Sequence, residues 1–313
     1  MRVLVAEPLG QAGIDRLGRE HQVDLRLNLA REEFLVALPD YDALIVRSQV
    51  QVDAAAIAAG TRLKVIGRAG VGVDNIDLAA ATAAGIAVVN APTANTLAAA
   101  EHTMALILSL ARHVAAADAS LRRGEWRRAD FIGTELSGKT LGIIGLGRVG
   151  LAVADRGRAF EMTLLGSDPI TSAEVAAAHA VRQVDLDDLL RQSDVLTLHV
   201  PLAAATRGML DAAQLATMKP TALLINVARG GIVDEAALAD ALASGRMGGA
   251  AIDVFEHEPI RDSPLLGAPN TVLTPHLGAS TAEAQSKASM QVVEGVLALL
   301  AGQPATYQVN RLG

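Results

Sequence analysis

Short apolar runs alternate along the chain with stretches in which Ala and Leu recur at helical spacing. Val3–Ala6, Val23–Leu27, Ala43–Arg47, Leu63–Gly67 and Ile86–Asn90 read as strands. Between them Gln11–Arg19, Arg31–Leu38, Val52–Ala59 and Ile76–Ala84 read as helices, with Gly60 and Gly85 standing where helix ends want them. A second block begins at Lys139, with strands at Thr140–Gly145, Thr163–Ser167, Val195–His199, Ala222–Val227, Ala250–Val254 and Thr271–Thr274. Its helices are Leu151–Phe160, Asp185–Gln192, Asp211–Met218 and Glu235–Ser244, and a last helix, Thr281–Ala301, is long enough to return to the first block. Strands that are apolar throughout are buried on both faces, which is the mark of parallel sheets covered by helices. The pattern therefore predicts an α/β chain of two doubly wound parallel-sheet domains. A long helix over 96–123 joins them, with an apolar face of Leu97, Met104, Ile107, Leu108, Ala111 and Val114. That face suits a core, an inter-domain hinge or a subunit interface.

The sharpest motif is Gly145-Leu146-Gly147-Arg148-Val149-Gly150, which follows one predicted strand and opens a helix. Alone this glycine spacing is weak, but strand-loop-helix is the context a dinucleotide fingerprint requires. Gly145 permits the turn, Gly147 lets a pyrophosphate approach the backbone, and Gly150 lets helix pack on strand. Asp168 follows Gly147 by 21 residues, at the end of the next strand. A carboxylate there accepts ribose hydroxyls and repels a 2′-phosphate, which favours NAD over NADP. The alternative is a glycine-rich turn plus a helix-capping aspartate before Pro169.

Ligands of open parallel sheets sit outside the carboxyl ends of the strands. Polar residues at those ends are His199-Val200-Pro201, Ala228-Arg229 after Val227, Asp253, and His276-Leu277-Gly278. Removing hydrogen from a hydroxyl-bearing carbon needs a base and a cation for the substrate's negative group, and histidine titrates near neutrality. Of seven histidines, His21, His113 and His179 read as surface, His102 is ambiguous beside Glu101, and His257 lies in a charged loop. His199 and His276 stand equally well at strand ends. Arg229 beside Gly230-Gly231 can present its fork to a carboxylate; the alternative is a surface arginine flanking a helix. Glu258 can raise the basicity of a nearby histidine, although an exposed loop glutamate is the simpler reading.

Composition narrows the classes. A net charge of −7 and 2% aromatic residues argue against nucleic-acid partners. Cysteine is absent, which excludes disulfides, thiol catalysis and Cys-ligated zinc, and no metal site is expected. The first six residues read as a strand rather than a signal peptide, and the uncharged run Leu78–Ala100 is broken by Gly85, Asn90, Pro92 and Asn95. The chain is expected to be cytoplasmic with no membrane partner.

Six segments, in order and across nearly the whole chain, resemble the NAD-dependent D-2-hydroxyacid dehydrogenase family. They are Arg68–Asn75, Gly133–Thr140, Gly142–Gly150, Asn226–Glu235, Asp253–Pro259 and Pro275–Thr281. The resemblance implies a Rossmann-type dinucleotide domain (95–281) inserted in a flavodoxin-like substrate domain (1–94 and 282–313), with closure of the two over the substrate. It implies a catalytic trio: His276 as acid/base, Glu258 as its partner and Arg229 on the substrate carboxylate and carbonyl. That implication breaks the tie between His276 and His199. It also implies NAD contacts from Arg148, Val149, Val200, Ala228, Arg229, Asp253 and the run His276–Ala279. Val71 and Gly72 offer backbone N–H groups to the substrate carboxylate, and Asn95 matches a position near the substrate.

Gly133–Leu136 and His276–Thr281 are most like the family's members that oxidise D-3-phosphoglycerate, the entry step to serine. A phosphorylated substrate needs further cations, for which Arg47, Arg68, Arg127 and Arg128 are candidates. Arg127 and Arg128 stand in an arm that relatives extend toward a second subunit, so a homodimer or higher homo-oligomer is expected. No added C-terminal regulatory domain is expected after Gly313. A reductase of hydroxypyruvate or glyoxylate is the rival within the family. An NAD-sensing, corepressor-like binding protein is the rival outside it.

Overall fold

The computed structural model describes residues 1–312. The strands are β1 (Arg2–Val5), β2 (Gln22–Leu25), β3 (Ala43–Val46), β4 (Val65–Arg68), β5 (Ala87–Val89), β6 (Thr140–Ile144), β7 (Thr163–Ser167), β8 (Arg182–Gln183), β9 (Val195–Leu198), β10 (Leu223–Asn226), β11 (Gly249–Ile252) and β12 (Thr271–Leu273). The helices are α1 (Gln11–Gly18), α2 (Arg31–Ala37), α3 (Ala54–Ala59), α4 (Leu78–Ala83), α5 (Thr96–Ala111), α6 (Val114–Arg122), α7 (Arg148–Ala159), α8 (Ala173–Ala178), α9 (Leu186–Gln192), α10 (Ala212–Thr217), α11 (Glu235–Ala243) and α12 (Ala282–Leu300). The chain divides into two compact units, Met1–Asn95 with Ala279–Gly313, and Thr96–Gly278.

The first unit holds a five-stranded sheet in the order β2-β1-β3-β4-β5, all pairs parallel. Successive side chains point to opposite faces, so apolar runs load both. Val3, Val5, Ile45 and Val65 pack with Leu17 of α1 and Val292, Val296 and Leu300 of α12. Leu4, Leu44, Val46 and Ile66 pack on the other face with Phe34, Leu38 and Ile57. Full burial of each such Leu or Ile contributes about 1.5–3 kcal/mol. Gly67 is required where α12 crosses β4, because a Cβ there would lie 2.7 Å from Val292. Connectivity reverses between β1 and β3, and that switch point opens a small cleft lined by Pro8, Leu9, Gly10, Arg47, Ala69 and Gln285.

The second unit holds a seven-stranded sheet, β12-β11-β10-β9-β6-β7-β8, again wholly parallel. Leu141, Ile143, Val195 and Ile225 pack with α5 and α7. Ile144, Leu196, Leu198 and Leu224 pack with α9, α10 and α11. Every strand runs the same way, so all carboxyl ends share one edge, and the connection reverses between β6 and β9.

The long helix expected over 96–123 is two helices, α5 and α6, bent by 61°. Residues far along the chain cause the break. Thr134 donates its backbone N–H to the Ala111 carbonyl at 2.8 Å, a carbonyl that would accept from residue 115 in a continuous helix. His113 then takes a left-handed turn with φ 53° rather than a plain surface helix position. The predicted apolar face is also narrower: Met104, Ile107 and Ala111 are buried, but Leu97 and Val114 are exposed. Two other helices start later than their periodicity suggests. Asp53 and Asp77 cap α3 and α4 by accepting from Ala56 and Ala80, while Val52 and Ile76 pair with each other as a bridge. Among the described residues no single helix is long and apolar enough to cross a membrane; the bent pair α5–α6 matches by length and composition alone.

Candidate active site

The glycine loop joins β6 to α7. Gly145 has φ 92°, and a Cβ on it would meet the His199 carbonyl oxygen at 2.7 Å. A Cβ on Gly150 would lie 2.0 Å from the Gly145 carbonyl oxygen, so the loop is packed against its own helix. A Cβ on Gly147 would meet nothing within 4 Å, and no side chain caps α7, whose first turn starts at Arg148, Val149 and Gly150. An uncapped helix end beside an open glycine is where a pyrophosphate can lie, on free N–H groups and the positive end of the helix dipole.

Asp168 closes this region. Its carboxylate accepts from the backbone N–H of Leu146 (2.7 Å), Ile170 (2.7 Å) and Thr171 (3.0 Å). Burial opposes its charge, and the three N–H donors outweigh that, holding the carboxyl below its ordinary range. Asp168 therefore ties the loop and caps no helix, since Ser172 caps α8. A carboxylate has about four lone-pair sites, so acceptor capacity for a ribose hydroxyl remains.

After β9, His199 accepts or donates to Thr197 Oγ1 at 3.0 Å, and burial pushes its imidazole down to about 3. It is a neutral ring across the physiological range, unsuited to proton transfer near neutrality. Val200 and Pro201 follow; the Pro201 carbonyl accepts from Thr206. After β10 the turn Val227-Ala228-Arg229 is laced by Asn226, which accepts from Ala228 N–H (3.0 Å) and donates to the Arg229 carbonyl (2.9 Å). Arg229 is half-buried and donates to the Ala228 carbonyl at 2.7 Å. A Cβ on Gly230 would fall 1.9 Å from the Phe255 carbonyl oxygen, so only glycine lets this turn touch the loop that carries Glu258.

That loop is held twice. Glu258 Oε1 accepts from the Phe255 N–H at 3.1 Å. Glu235, at the start of α11, accepts from the Glu256 N–H and the Ser263 hydroxyl. Glu258 Oε2 stands 2.7 Å from His276 Nδ1. Burial raises the carboxyl's affinity for a proton, but His276 and the Phe255 N–H lower it further, and Glu258 stays below the usual carboxylate range.

His276 occupies a left-handed turn, φ 56°. Its N–H donates to the Asp253 carbonyl at 2.8 Å. The next two N–H groups, Leu277 (2.7 Å) and Gly278 (2.9 Å), donate to the Asp253 carboxylate, and a Cβ on Gly278 would press Val227 at 2.9 Å. Asp253 is fully buried; burial opposes its charge, but donors from His102, Thr274, Leu277 and Gly278 prevail and keep it ionised. Ala279, the next residue, opens the second segment of the other unit.

Two groups here were not singled out from the sequence. His102 reaches Asp253 at 3.2 Å from α5, and Asn226 laces the Arg229 turn. Asn226 carried a signal, since it ends a buried strand; His102 carried none, because its partner lies 151 positions away.

The remaining candidates lie elsewhere. In the first unit Arg47 directly follows β3 and Arg68 ends β4, followed by Val71, whose carbonyl accepts from Asn90 at 2.6 Å, and Gly72. Glu7, buried after β1, accepts from the N–H groups of Arg47 (2.6 Å), Gln49 (3.0 Å) and Val50 (3.2 Å), and so fixes the Arg47 loop. Asn95 directly precedes α5. Arg127 and Arg128 belong to the second unit, in the arm after α6. Arg127 Nη2 is 2.5 Å from Asp130 and Nη1 is 3.6 Å from Glu125.

Residues 104–278 match the family described as D-isomer specific 2-hydroxyacid dehydrogenase, NAD binding domain. A D-3-phosphoglycerate dehydrogenase of Archaeoglobus fulgidus is 49% identical over 312 residues, 99% of this chain and 59% of that protein. The chain thus spans about three-fifths of that curated relative. The crystal structure of the TT0316 protein from Thermus thermophilus superposes with TM-score 0.92 at 36% identity, covering 99% of this chain and 100% of that one. A glyoxylate reductase from Paecilomyes thermophila superposes with TM-score 0.90 at 32% identity, covering 99% and 98%. The open Gly147, the uncapped α7 and the Asp168 carboxylate suit NAD, the cofactor of this domain. By its NAD-binding domain, its two parallel sheets and these likenesses, the chain belongs to the D-isomer specific 2-hydroxyacid dehydrogenase family.

Proposed function

We propose that this protein interconverts D-3-phosphoglycerate and 3-phosphohydroxypyruvate, with NAD as the hydride partner. The observation that carries the chemistry is the His276–Glu258 pair at 2.7 Å, on the same sheet edge as the glycine loop and Arg229. The identity to the Archaeoglobus fulgidus dehydrogenase supports the substrate.

Glu258 is a carboxylate, so His276 Nδ1 carries the proton between them. Nε2 is then the free base that takes the proton of the substrate hydroxyl, and the carboxylate stabilises the imidazolium that forms. The Arg229 fork binds the substrate carboxylate and polarises the oxygen that becomes a carbonyl. NAD supplies the hydride acceptor. The first turn of α7 and Asp168 hold its pyrophosphate and ribose. Asp253 Oδ2 accepts from the Gly278 N–H, and we assign its remaining lone pair to the carboxamide. His199, Pro201, Val227 and Ala228 border the cofactor, and Val200 offers it only an apolar surface or backbone. In the first unit we assign the N–H groups of Val71 and Gly72, with Asn95, to the substrate carboxylate, and Arg47 and Arg68 to the phosphate.

We further assign a cytoplasmic homodimer, built on the arm after α6. Trp126 and Ile132 there are 78% and 82% exposed, which is costly for side chains of that size unless a second copy covers them. Light scattering should give twice the 32.3 kDa chain mass; a monomer at micromolar concentration refutes the assignment.

The second reading is a reductase of unphosphorylated hydroxypyruvate or glyoxylate. The pairing of Arg127 with Asp130 favours it, since that arginine is already engaged. Steady-state rates with NADH separate the two. The proposal requires kcat/KM at least about 10²-fold higher for 3-phosphohydroxypyruvate than for hydroxypyruvate or glyoxylate, about 2.7 kcal/mol of discrimination. Equal or better use of the unphosphorylated acids establishes the second reading instead.

A further inference from the structure

His102 lies in the second turn of α5, which packs across the ends of β10, β11 and β12. Its Nε2 is 3.2 Å from Asp253 Oδ1 and 3.2 Å from Thr274 Oγ1. The Thr274 hydroxyl spends its single proton on Asp253 Oδ1, at 2.6 Å. Both groups facing Nε2 are therefore acceptors, and Nε2 must carry the hydrogen they share. One histidine N–H and one hydroxyl thus hold Oδ1 of a carboxylate that is fully shielded from solvent.

The same aspartate grips the turn of His276, with the Leu277 N–H sharing Oδ1 with His102 and Thr274 and the Gly278 N–H on Oδ2. Three consecutive N–H groups end on it: His276 on its carbonyl, Leu277 and Gly278 on its carboxylate. Beyond a second bond of the His276 N–H to the Thr274 carbonyl at 3.0 Å, these bonds are what hold a left-handed histidine, since φ near 56° is uncommon for a residue with a Cβ. A carboxylate on a single-bonded stem turns about χ1 and χ2, so its grip on the turn is only as firm as its own orientation. His102 and Thr274 set that orientation.

We propose that His102 is a positioning residue for the acid/base histidine: by locking the Asp253 carboxylate it keeps the His276–Gly278 turn aimed at Glu258. His102 acts through its contacts with Asp253 and Thr274, and it donates a hydrogen bond without passing a proton on. The proposal rests on the reading of His276 as the acid/base.

The test compares His102→Leu, which removes the donor, with His102→Gln, whose Nε2 places an N–H donor at similar reach. Two readouts are taken: kcat and KM with NADH and 3-phosphohydroxypyruvate, and amide exchange of the segment 275–281 in the protein without cofactor. His102→Leu should lower kcat about tenfold or more while the keto-acid KM changes less than about threefold, because misaimed groups slow the reaction more than they weaken binding. Exchange at Leu277 and Gly278 should rise about tenfold. The Gln variant should recover most of both. The proposal is overturned if the Leu variant keeps kcat within twofold and exchange unchanged, or if Gln and Leu behave alike. Should the Leu variant fail to fold, near-parental kcat and exchange in the Gln variant support the proposal, and a tenfold loss there overturns it. His276→Asn, run beside them, separates the two layers: if it too keeps its kcat, the acid/base reading fails, whatever His102 does.

Discussion

The carboxyl edge of the seven-stranded sheet and the arm after α6 are both rich in charge, and they hold it differently. At the edge, partners come from distant parts of the chain: His102 meets Asp253 across 151 positions, Asp253 meets Gly278 across 25, and Glu258 meets His276 across 18. In α6 and the arm that follows it, partners are neighbours: Arg122 with Asp118, Arg123 with Glu125, Arg127 with Asp130. The arm's pairs are exposed, screened by water, and available in the unfolded chain too. The edge's bonds exist only when the sheet is complete, and each carboxylate there has several donors. A group held that way has one orientation, which is what transfer of a proton to a defined atom requires.

Substitutions can break or sharpen this contrast. Glu258→Gln should have a large effect, because it keeps the volume and removes the charge that balances the imidazolium. We expect kcat to fall about 10²-fold with NADH affinity nearly unchanged, read by steady-state kinetics and NADH fluorescence titration. A loss confined to NADH affinity would place Glu258 with the cofactor instead. Asp168→Ala should come next. Loss of a ribose acceptor should weaken NADH about tenfold and narrow the preference over NADPH. Unchanged preference would leave Asp168 as a loop tie alone. Paired variants of the arginines should show the smallest effects and the clearest asymmetry. Arg47→Ala should lower kcat/KM for 3-phosphohydroxypyruvate about tenfold while sparing hydroxypyruvate. Arg127→Ala should change either value by less than about threefold, since its charge is matched by Asp130 and Glu125. An equal drop in both variants would make the arm part of the phosphate site.

Much of this was legible in the sequence, for identifiable reasons. Buried parallel strands are apolar without interruption, so β3, β4, β6, β9 and β10 stand out as runs. The fingerprint was legible because Gly145 and Gly150 answer local steric demands and Gly147 leaves the helix end open. The break between α5 and α6 was not, because Thr134, more than twenty residues away, causes it by taking the Ala111 carbonyl. Helix starts slid for the opposite reason: Asp53 and Asp77 were present as caps, but the apolar residues before them suggested an earlier start. The choice between His199 and His276 could not come from either residue's own neighbours. It turns on burial around His199 and on a glutamate placed by Gly230, Phe255 and Glu235, all tertiary facts. His102 stayed ambiguous because its chemistry is entirely in its long-range partners.

The central claim is that His276, set by Glu258 and Asp253, moves the proton. His276→Asn tests it most directly, with kcat and NADH binding measured on the same preparation. The account predicts a kcat loss of about 10³-fold with the NADH Kd within about threefold of the parent. A variant that turns over at near-parental rate would contradict it and return the proton chemistry to another group.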